Sequence, residues 1–364
     1  MKYNYVVVGA GLAGLTIAER IANVLNEKVL VIEKRGHIGG NIYDSYNEDG
    51  ILIHNYGPHI FHTNDKGVYD YLSRFTPWND FWHRVLTQVD GNLIPMPITV
   101  ETINKLYNLN LSCEEVEEFL KKKAIEIDEI KTSKDVALSK VGEDIYEKFF
   151  ENYTKKQWGI DPGELDTSII SRIPIRLNRD TRYFSDKYQG MPKYGYTKMC
   201  ENMIQNKNIK VLLNTDYKEI IDDIEYEKLI YTGPTDYFYD YKYGKLAYRS
   251  IHFVFETHDT EDYQPAPVVN YPNDYDFTRI TEFKKLTYQE HKKTTILKEF
   301  PCDEGEPYYP FPTKEWKNKF ALYQEDMKKE KKVLFLGRLA EYRYYNMDAV
   351  VRSALNLFEG GLNG

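Results

Sequence analysis

The chain opens with a glycine-rich turn between two short runs of β-branched residues. Residues 5–8 (YVVV) read as a buried strand, residues 9–14 (GAGLAG) have the spacing GxGxxG, and residues 12–25 carry apolar side chains at helical spacing. A second β-branched run at residues 29–32 ends at Glu33. A strand, a glycine turn, a helix and a strand in this order predict a β-α-β unit that opens a parallel sheet.

In this context the glycine spacing is typical of a dinucleotide site. Gly9 permits the tight turn, Gly11 lets a pyrophosphate approach the backbone, and Gly14 lets the helix pack against the strand. The positive end of the helix faces the phosphates, and Glu33 can accept hydrogen bonds from an adenosine ribose. The alternative is a glycine turn without a ligand, and these residues alone leave both FAD and NAD open.

A second pair of glycines narrows the choice of cofactor. Glu33 is followed by Gly39 and Gly40 in the pattern ExxxxxGG, which resembles the large FAD-binding class that includes amine oxidases. A second GxGxxG is absent from the sequence, so we do not expect a separate NAD domain. Near the C-terminus, Gly337 and Arg338 follow the strand-like run VLFL, which fits a segment that closes over a flavin with Arg338 on the pyrophosphate. A surface ion pair is the alternative role for Arg338.

The remaining pattern predicts an interleaved chain. Residues 113–125 and 141–150 are periodic at helix spacing, whereas residues 81–98 and 246–256 read as strands. A strand at residues 333–339 and a final helix at about 348–358 indicate that the C-terminus returns to the N-terminal sheet.

Composition excludes several classes of function. The formal net charge of −8 argues against a nucleic-acid partner. The three cysteines, Cys113, Cys200 and Cys302, are too few and too widely spaced for a disulfide framework or a zinc site, and we expect no metal. No signal peptide is visible and the longest apolar run is too short to span a bilayer, so we expect a cytoplasmic protein without a membrane partner.

Eight segments, in order along nearly the whole chain, resemble the bacterial UDP-galactopyranose mutases. They are EKRGHIGGNIYD (33–44), YGPHIFHT (56–63), FFENYTKKQWG (149–159), SRIPIRLNRDTRYF (171–184), YTGPTDYFYDYKYGKLAYRS (231–250), TRITEFK (278–284), EPYYP (306–310) and GRLAEYRYYNMD (337–348). This set is far more specific than the glycine fingerprint.

The resemblance implies an α/β fold: a Rossmann-like FAD-binding domain with an inserted helical bundle and a twisted antiparallel β-sheet domain. We assign residues 1–80, 190–245 and 325–364 to the FAD-binding domain and residues 98–165 to the helical domain. Residues 81–97, 166–189 and 246–324 are assigned to the sheet and substrate domain.

The resemblance also implies a reaction. The expected activity is the interconversion of UDP-galactopyranose (the UDP-galactose form) and UDP-galactofuranose, by nucleophilic catalysis from N5 of reduced FAD without net redox change. A homodimer is expected. An FAD-dependent amine oxidase is the chief rival, and a flavin-bound scaffold or sensor is the non-enzymatic one; neither requires a cluster of arginines and tyrosines suited to a diphosphate.

Site residues are carried over by motif. Catalytic roles fall to His62, near the reacting edge of the flavin, and to Arg172 and Arg279, which hold the diphosphate, Arg172 from a mobile loop. The expected substrate-binding residues are His59, His83, Phe149, Phe150, Tyr153, Thr154, Trp158, Tyr183, Asn270, Tyr309, Tyr344 and Asn346. Besides the residues already named, the expected cofactor-binding residues are Lys34, Arg35, Asn41, His59, Met347 and Asp348.

Several of these assignments have a structural alternative. Helix-spaced aromatics such as Phe149 and Phe150 are usually core residues, and an arginine-rich segment like that at residues 172–182 is usually a solvated face. Two positions depart from the family pattern: Asn346 stands where Asp is usual, and His83 where Asn is common. His59 stands where relatives that accept N-acetylated sugars are expected to carry Arg, which predicts a preference for the plain sugar.

Overall fold

The computed structural model describes residues 2–171, 174–311 and 313–362. The strands are β1 (Tyr5–Val8), β2 (Val29–Ile32), β3 (Asp44–Tyr46), β4 (Leu52–His54), β5 (Phe61–Thr63), β6 (Trp78–Asn79), β7 (Val85–Val89), β8 (Asn92–Met96), β9 (Tyr188–Pro192), β10 (Ile209–Leu212), β11 (Lys228–Tyr231), β12 (Tyr248–His258), β13 (Val268–Asn270), β14 (Arg279–Glu282), β15 (Thr294–Cys302), β16 (Tyr309–Pro310) and β17 (Val333–Phe335). The helices are α1 (Leu12–Arg20), α2 (Lys66–Leu72), α3 (Val100–Tyr107), α4 (Cys113–Lys123), α5 (Ser133–Tyr146), α6 (Asn152–Trp158), α7 (Ser168–Ser171), α8 (Tyr196–Met203), α9 (Tyr217–Ile220), α10 (Thr235–Phe238), α11 (Phe283–Thr287), α12 (Lys314–Met327) and α13 (Met347–Gly361).

The chain divides into two compact units. The first unit consists of Met1–Asp80, Asp186–Ala247 and Glu315–Gly364, and the second of Phe81–Ser185 and Tyr248–Lys314. The segments assigned from the sequence to a helical domain and to a sheet domain therefore lie mostly in the second unit. Their division into two separate domains stays a prediction.

The first unit is built on a parallel sheet in the order β10-β2-β1-β11-β17. Tyr5 pairs with Val29 and Val8 with Ile32, with α1 between the two strands along the chain, which confirms the predicted β-α-β unit. On one face, Val6 and Val8 join an apolar cluster with residues of β2 and β11. β17 pairs with β11, which confirms that the C-terminal part returns to this sheet.

Helix α1 begins directly after the glycine turn, because Gly11 has extended backbone angles and Leu12 starts the helical run. The predicted helix over residues 12–25 is confirmed, although its last five residues, Ile21–Leu25, form a wider π-helical turn. Asn26 ends it with a left-handed φ of 56°. Helix α13 packs against α1, with Val351, Ala354 and other apolar side chains buried.

The second unit is built on a sheet in the order β16-β12-β15-β14-β13-β7-β8. Its strands pair antiparallel, as predicted, except that β13 and β7 are parallel. Parallel neighbours need a long crossover connection. Here the intervening chain supplies α3 to α7, and it also passes through the first unit between residues 186 and 247.

The helices of the second unit begin at capping side chains and enclose an apolar core. Ser112 and Thr132 each form a capping box with the third residue of α4 and α5. Gly142 interrupts α5 with a φ of 76°, where an added Cβ would lie 2.2 Å from the Lys123 carbonyl oxygen at the end of α4. Among the described residues, no helix has the length and apolar content needed to cross a bilayer.

Candidate functional site

The glycine turn in the first unit has no room for side chains at two of its three glycines. Gly9 has a φ of +102°, and a Cβ there would lie 2.1 Å from Thr232 Oγ1. A Cβ on Gly14 would lie 2.0 Å from the Gly9 carbonyl oxygen, whereas one on Gly11 would meet only Gly40 Cα, at 3.8 Å. Gly14 therefore lets α1 pack on the turn, Gly9 lets Thr232 approach it, and a side chain at Gly11 would make only ordinary van der Waals contact, with Gly40.

Glu33 is hydrogen-bonded to this turn. It is 6% exposed, its Oε2 accepts from the Ala10 N–H at 2.8 Å and its Oε1 from the Arg35 N–H at 2.9 Å. Because Gly11 at the N-cap of α1 has no side chain, no capping group covers the first helical N–H groups. These residues fit the pyrophosphate and ribose of a dinucleotide.

The ExxxxxGG loop approaches the same turn. The Gly39 N–H donates to the Ala10 carbonyl at 2.8 Å, and Gly39 forms a parallel bridge with Gly11. A Cβ on Gly40 would lie 2.9 Å from Gly11 Cα. The close backbone approach that these glycines permit is thus made to the first glycine turn, and their contact with a cofactor stays a prediction.

Arg35 and Asn41 form a polar cluster on this loop, while Lys34 is exposed. Arg35 Nη1 donates to Asn41 Oδ1 at 3.0 Å, and the guanidinium lies 4.6 Å from the centre of the Tyr56 ring. His37 Nε2 lies 2.6 Å from the Tyr56 hydroxyl. Burial, aided by Arg35, lowers the pKa of His37, and its Nδ1 lies 3.0 Å from the Ile38 carbonyl oxygen, an acceptor to which only a protonated Nδ1 can donate.

His59 is positioned through a buried histidine that sequence reasoning missed. The His59 N–H donates to His54 Nδ1 at 3.1 Å, and His59 Nδ1 lies 2.9 Å from the Gly57 carbonyl oxygen. His54 is 1% exposed, and burial lowers its pKa to about 4. His54 is therefore neutral and can act as the acceptor.

His62 lies on β5 beside a carboxylate that the sequence did not single out. Its Nδ1 is 3.0 Å from Asp186 Oδ2, and the other oxygen, Oδ1, accepts from Asn64 Nδ2 at 3.0 Å. A carboxylate on one ring nitrogen fixes the orientation of a histidine and places the proton on that nitrogen.

The C-terminal segment lies against the same turn. A Cβ on Gly337 would meet Ala13 Cβ at 3.2 Å. The Arg338 guanidinium lies 4.9 Å from the centre of the Tyr344 ring. Predicted cofactor residue Arg338 and predicted substrate residue Tyr344 are thus in contact.

The last three predicted residues of this unit start α13. Asn346 is exposed and occupies the N-cap position without a side-chain capping bond. Met347 and Asp348 follow in the first turn, and Asp348 Oδ2 accepts from Thr63 Oγ1 at 2.8 Å. Because Thr63 follows His62 directly, this bond connects the C-terminal segment to β5.

In the second unit, polar side chains form a row across the sheet. Asn270 pairs with Arg279, and Arg279 pairs with Glu299, so the three residues lie on one face of neighbouring strands. Arg279 Nε and Nη2 donate to the two Glu299 oxygens at 2.8 and 2.9 Å. Burial disfavours the Arg279 charge, but the Glu299 carboxylate outweighs it, and the pKa of Arg279 lies well above its ordinary value.

Tyrosines lie near this arginine. Tyr153 on α6 and Tyr309 on β16 both act electrostatically on Arg279. Burial raises the pKa of Tyr153 to about 12, although Arg279 opposes the shift, and Tyr183 is close enough to contribute. Arg279, Tyr153 and Tyr309 therefore lie within electrostatic range of one another, and Tyr183 lies within range of Tyr153.

The aromatic residues expected from the resemblance to bind the substrate are tightly packed. Phe149 and Phe150 are each 3% exposed, lie in the wider helical turn Glu147–Glu151, and belong to the apolar core of the unit. Trp158 is 2% exposed and packs against Leu165, Ile169 and Tyr309. Thr154 is also buried. The structure gives these residues a packing role, and their contact with a nucleotide stays a prediction.

His83 and Tyr183 contact each other. The Tyr183 N–H donates to the His83 carbonyl oxygen at 2.7 Å, and their ring centres are 5.6 Å apart. His83 is 4% exposed, so its ring is enclosed by protein.

The arginine-rich segment is largely paired within the second unit. Arg176 donates to the carbonyl oxygens of Arg182 at 2.5 Å and Tyr183 at 2.9 Å, Arg182 binds Asp180, and Arg179 pairs with Glu101. Arg172 lies outside the described residues.

A cleft of about 950 Å³ opens in the second unit beside His83, since its chain neighbours Trp82 and Arg84 line the cleft. Its lining includes Trp82, Arg84, Lys284, Lys285 and Tyr288, and none of the predicted site residues that the structure describes. Lys284 donates to the His291 carbonyl oxygen and Lys285 pairs with Asp262.

Comparison with known proteins identifies the family. Residues 148–344 match the family described as UDP-galactopyranose mutase, and residues 7–75 match the NAD(P)-binding Rossmann-like domain. The probable UDP-galactopyranose mutase of Klebsiella pneumoniae is 38% identical over 360 residues, which cover 97% of this chain and 93% of the relative. The dTDP-fucopyranose mutase of Escherichia coli is 37% identical over 361 residues, 96% of each chain.

Solved structures agree on the fold. A crystal structure of reduced UDP-galactopyranose mutase matches with a TM-score of 0.80 at 18% identity, over 98% of this chain and 96% of that one. Putrescine oxidase bound to putrescine matches with a TM-score of 0.60 at 11% identity, over 100% of both chains. At such identities the structural likeness shows the fold alone. The sequence matches decide between a mutase and an oxidase. The chain belongs to the UDP-galactopyranose mutase family, whose reaction is a flavin-dependent isomerisation of a nucleotide sugar.

Proposed function

We propose that this chain interconverts UDP-galactopyranose and UDP-galactofuranose with FAD as its flavin, and that the reduced form is active. The observation that carries the proposal is the Arg279 guanidinium, held by Glu299 and accompanied by Tyr153 and Tyr309. A planar cation with tyrosine hydroxyls around it suits the oxygens of a diphosphate.

Reduced FAD would supply a nucleophilic N5 for the anomeric carbon, with no net change in oxidation state. The chain's own groups bind and orient. Gly9, Gly11, Gly14 and Glu33 hold the dinucleotide, while Arg279, aided by Arg172, holds the diphosphate. A UDP group that stays bound after the anomeric bond breaks is positioned to return to the sugar.

His62 is proposed to act beside the flavin in an orientation fixed by Asp186. We also propose the other substrate-binding and cofactor-binding roles that the sequence predicts. Because His stands at position 59, we propose a preference for UDP-galactose over its N-acetylated counterpart. We also propose a cytoplasmic homodimer.

A second candidate substrate is dTDP-fucopyranose. The Escherichia coli relative named for that substrate is 37% identical to this chain, almost the same as the relative named for UDP-galactopyranose at 38%. Purified enzyme given equal concentrations of both pyranose substrates decides between them. We expect a higher kcat/KM for the UDP sugar, and the reverse order would assign the chain to the dTDP sugar.

The main experiment supplies UDP-galactofuranose to purified enzyme and follows UDP-galactopyranose by chromatography. We expect oxidised enzyme to be inactive and dithionite-reduced enzyme to make many turnovers without an electron acceptor. Full activity with oxidised FAD, or one equivalent of reductant consumed per product, would contradict the proposal. Oxygen uptake with amines would instead support an oxidase.

A further inference from the structure

One side of the helix that carries Tyr153 is bound to a loop of the sheet. This loop, residues 271–278, connects β13 to β14. Asn152 Nδ2 donates to Asn273 Oδ1 at 3.0 Å, and Asn273 Nδ2 donates to the Lys148 carbonyl oxygen at 3.2 Å. Lys148, Asn152 and Lys156 are spaced by four residues, so all three share one side of the helix.

Lys156 makes the largest set of these contacts. Its Nζ donates to the carbonyl oxygens of Tyr271 at 2.5 Å, Tyr275 at 2.7 Å and Phe277 at 3.2 Å. An ammonium group has three N–H donors, and each of them is matched here by one carbonyl of the loop. Three bonds from one side chain to residues spread along a seven-residue stretch fix the path of that stretch.

The burial of Lys156 supports this role. Burial lowers its pKa to about 8, although Asp274 and Asp276 of the same loop oppose the shift. Lys156 is half-buried, and its three hydrogen bonds to the loop replace the solvation that its ammonium group has lost. Rings of the loop pack on each other as well, with the centres of Tyr271 and Phe277 5.1 Å apart.

Two predicted site residues flank this loop. Asn270 is the last residue of β13 and Arg279 the first residue of β14, and they pair across the two strands. Tyr153, near Arg279, lies three residues before Lys156 on α6. Lys156 therefore joins the helix that carries Tyr153 to the loop that is flanked by Asn270 and Arg279.

We propose that Lys156 is a positioning residue for nucleotide binding: it anchors loop 271–278 to α6 and so sets Arg279 and Asn270 relative to Tyr153. This inference rests on the proposed function, because it takes Arg279 to bind the diphosphate. It assigns Lys156 no contact with the substrate.

The neighbouring lysine offers a matched control. Lys155 Nζ pairs with Glu151 at 2.9 Å and with Asp161 at 3.3 Å, without a bond to the loop. Lys155→Met and Lys156→Met each remove one positive charge and shorten the side chain by one heavy atom, at adjacent positions. They differ in whether the loop loses its anchor.

The test measures the Kd for UDP by calorimetry, and kcat and KM with dithionite-reduced enzyme, after circular dichroism has confirmed folding. Losing hydrogen bonds to a charged group corresponds to about a 10- to 100-fold change. We expect Lys156→Met to raise the UDP Kd and the KM by about that factor with kcat changed less than about threefold. Lys155→Met should match wild type.

A merely structural role would instead lower the amount of active enzyme, which reduces the apparent kcat and leaves KM unchanged. If Lys156→Met does not fold, Lys156→Gln carries the test, because its amide keeps two donors; its UDP Kd should be about three- to tenfold weaker than that of wild type. If wild type binds UDP and the Lys156 variants have the same UDP Kd and KM as wild type, the inference is overturned and the proposed function is not. A wild-type protein that does not bind UDP would overturn the proposed function and the inference together.

Discussion

The Arg279 guanidinium meets the Glu299 carboxylate edge to edge across β14 and β15, with two hydrogen bonds of 2.8 and 2.9 Å. Glu299 is fully buried, while a quarter of the Arg279 side chain is exposed. A bidentate pair of this kind fixes the plane of the guanidinium. A phosphate group that binds Arg279 therefore meets an arginine that is already oriented.

Replacing Glu299 by Gln tests this orientation. Arg279 would lose its counter-charge, and a hydrogen bond to a charged group contributes about 1.5–3 kcal/mol. We expect thermal unfolding to show a loss of about 2 kcal/mol in stability, together with a lower kcat/KM. Glu256 on β12 is the control, because it also pairs with a cation, Lys298, but is more exposed than Glu299. Glu256→Gln should cost less than about 1 kcal/mol in stability. Equal losses in the two variants would contradict the special role of Glu299.

Replacing Arg279 by Ala tests the diphosphate site directly. Removing a charged hydrogen-bonding partner from a binding site costs about 2–5 kcal/mol, or about 30- to 4,000-fold in kcat/KM. Arg179→Ala is the control, since Arg179 is more than half exposed and pairs with Glu101. Arg172→Ala is expected to resemble Arg279→Ala, with kcat and KM changed together if Arg172 acts through loop closure. An unchanged kcat/KM in either variant would remove that arginine from the site.

His54 predicts a specific loss of stability in acid. Its pKa is about 4 when folded, against 6.5 ordinarily, so between these values the unfolded chain binds more protons than the folded one. Stability from this group is complete above pH 6.5 and falls as the pH drops towards 4, by about 3 kcal/mol in total.

The measurement is the unfolding temperature at several pH values. His54→Asn keeps an acceptor for the His59 N–H but cannot be protonated, so its stability should fall less between pH 6.5 and 4. His252→Asn, at an exposed position on β12, should keep the wild-type slope. Parallel curves for wild type and His54→Asn would exclude His54 as the cause.

Gly142 and Gly91 form a matched pair for a packing prediction. Their φ angles are +76° and +75°, but a Cβ on Gly142 would lie 2.2 Å from the Lys123 carbonyl oxygen, while one on Gly91 would have no heavy atom within 4 Å. Ala at either position costs about 1–2 kcal/mol in backbone strain. Gly142→Ala should cost about 1–3 kcal/mol more, because backbone must move. Equal unfolding free energies would contradict the close contact between α4 and α5.

The local parts of the fold could be read from the sequence. The β-α-β unit was predictable because its glycine spacing and apolar periodicity lie within one short segment. The caps at Ser112 and Thr132 follow the same local chemistry. By contrast, Glu299 and Asp186 gave no local signal, since a lone acid in a strand or loop acquires its partner only through tertiary pairing.

The contacts that a side chain makes in the fold were harder to predict than the family to which the chain belongs. The resemblance implies substrate binding by Phe149 and Phe150, while their helix spacing favours the core, where the structure places them. Lys156 lay in the family motif KKQWG, but the three carbonyls that it binds are more than a hundred residues away in sequence. Periodicity carries no information about such distant contacts.

The order of strands in the parallel sheet has a consequence for synthesis on the ribosome. β1 and β2 emerge first, but β11 gains its outer neighbour β17 only when residues 333–335 have been made. Until then β11 is an edge strand of the nascent sheet, and its unpaired backbone groups are open to pairing with other chains. The β17 strand that then takes the edge is only three residues long, so the row of unpaired backbone groups is longest before residues 333–335 have paired.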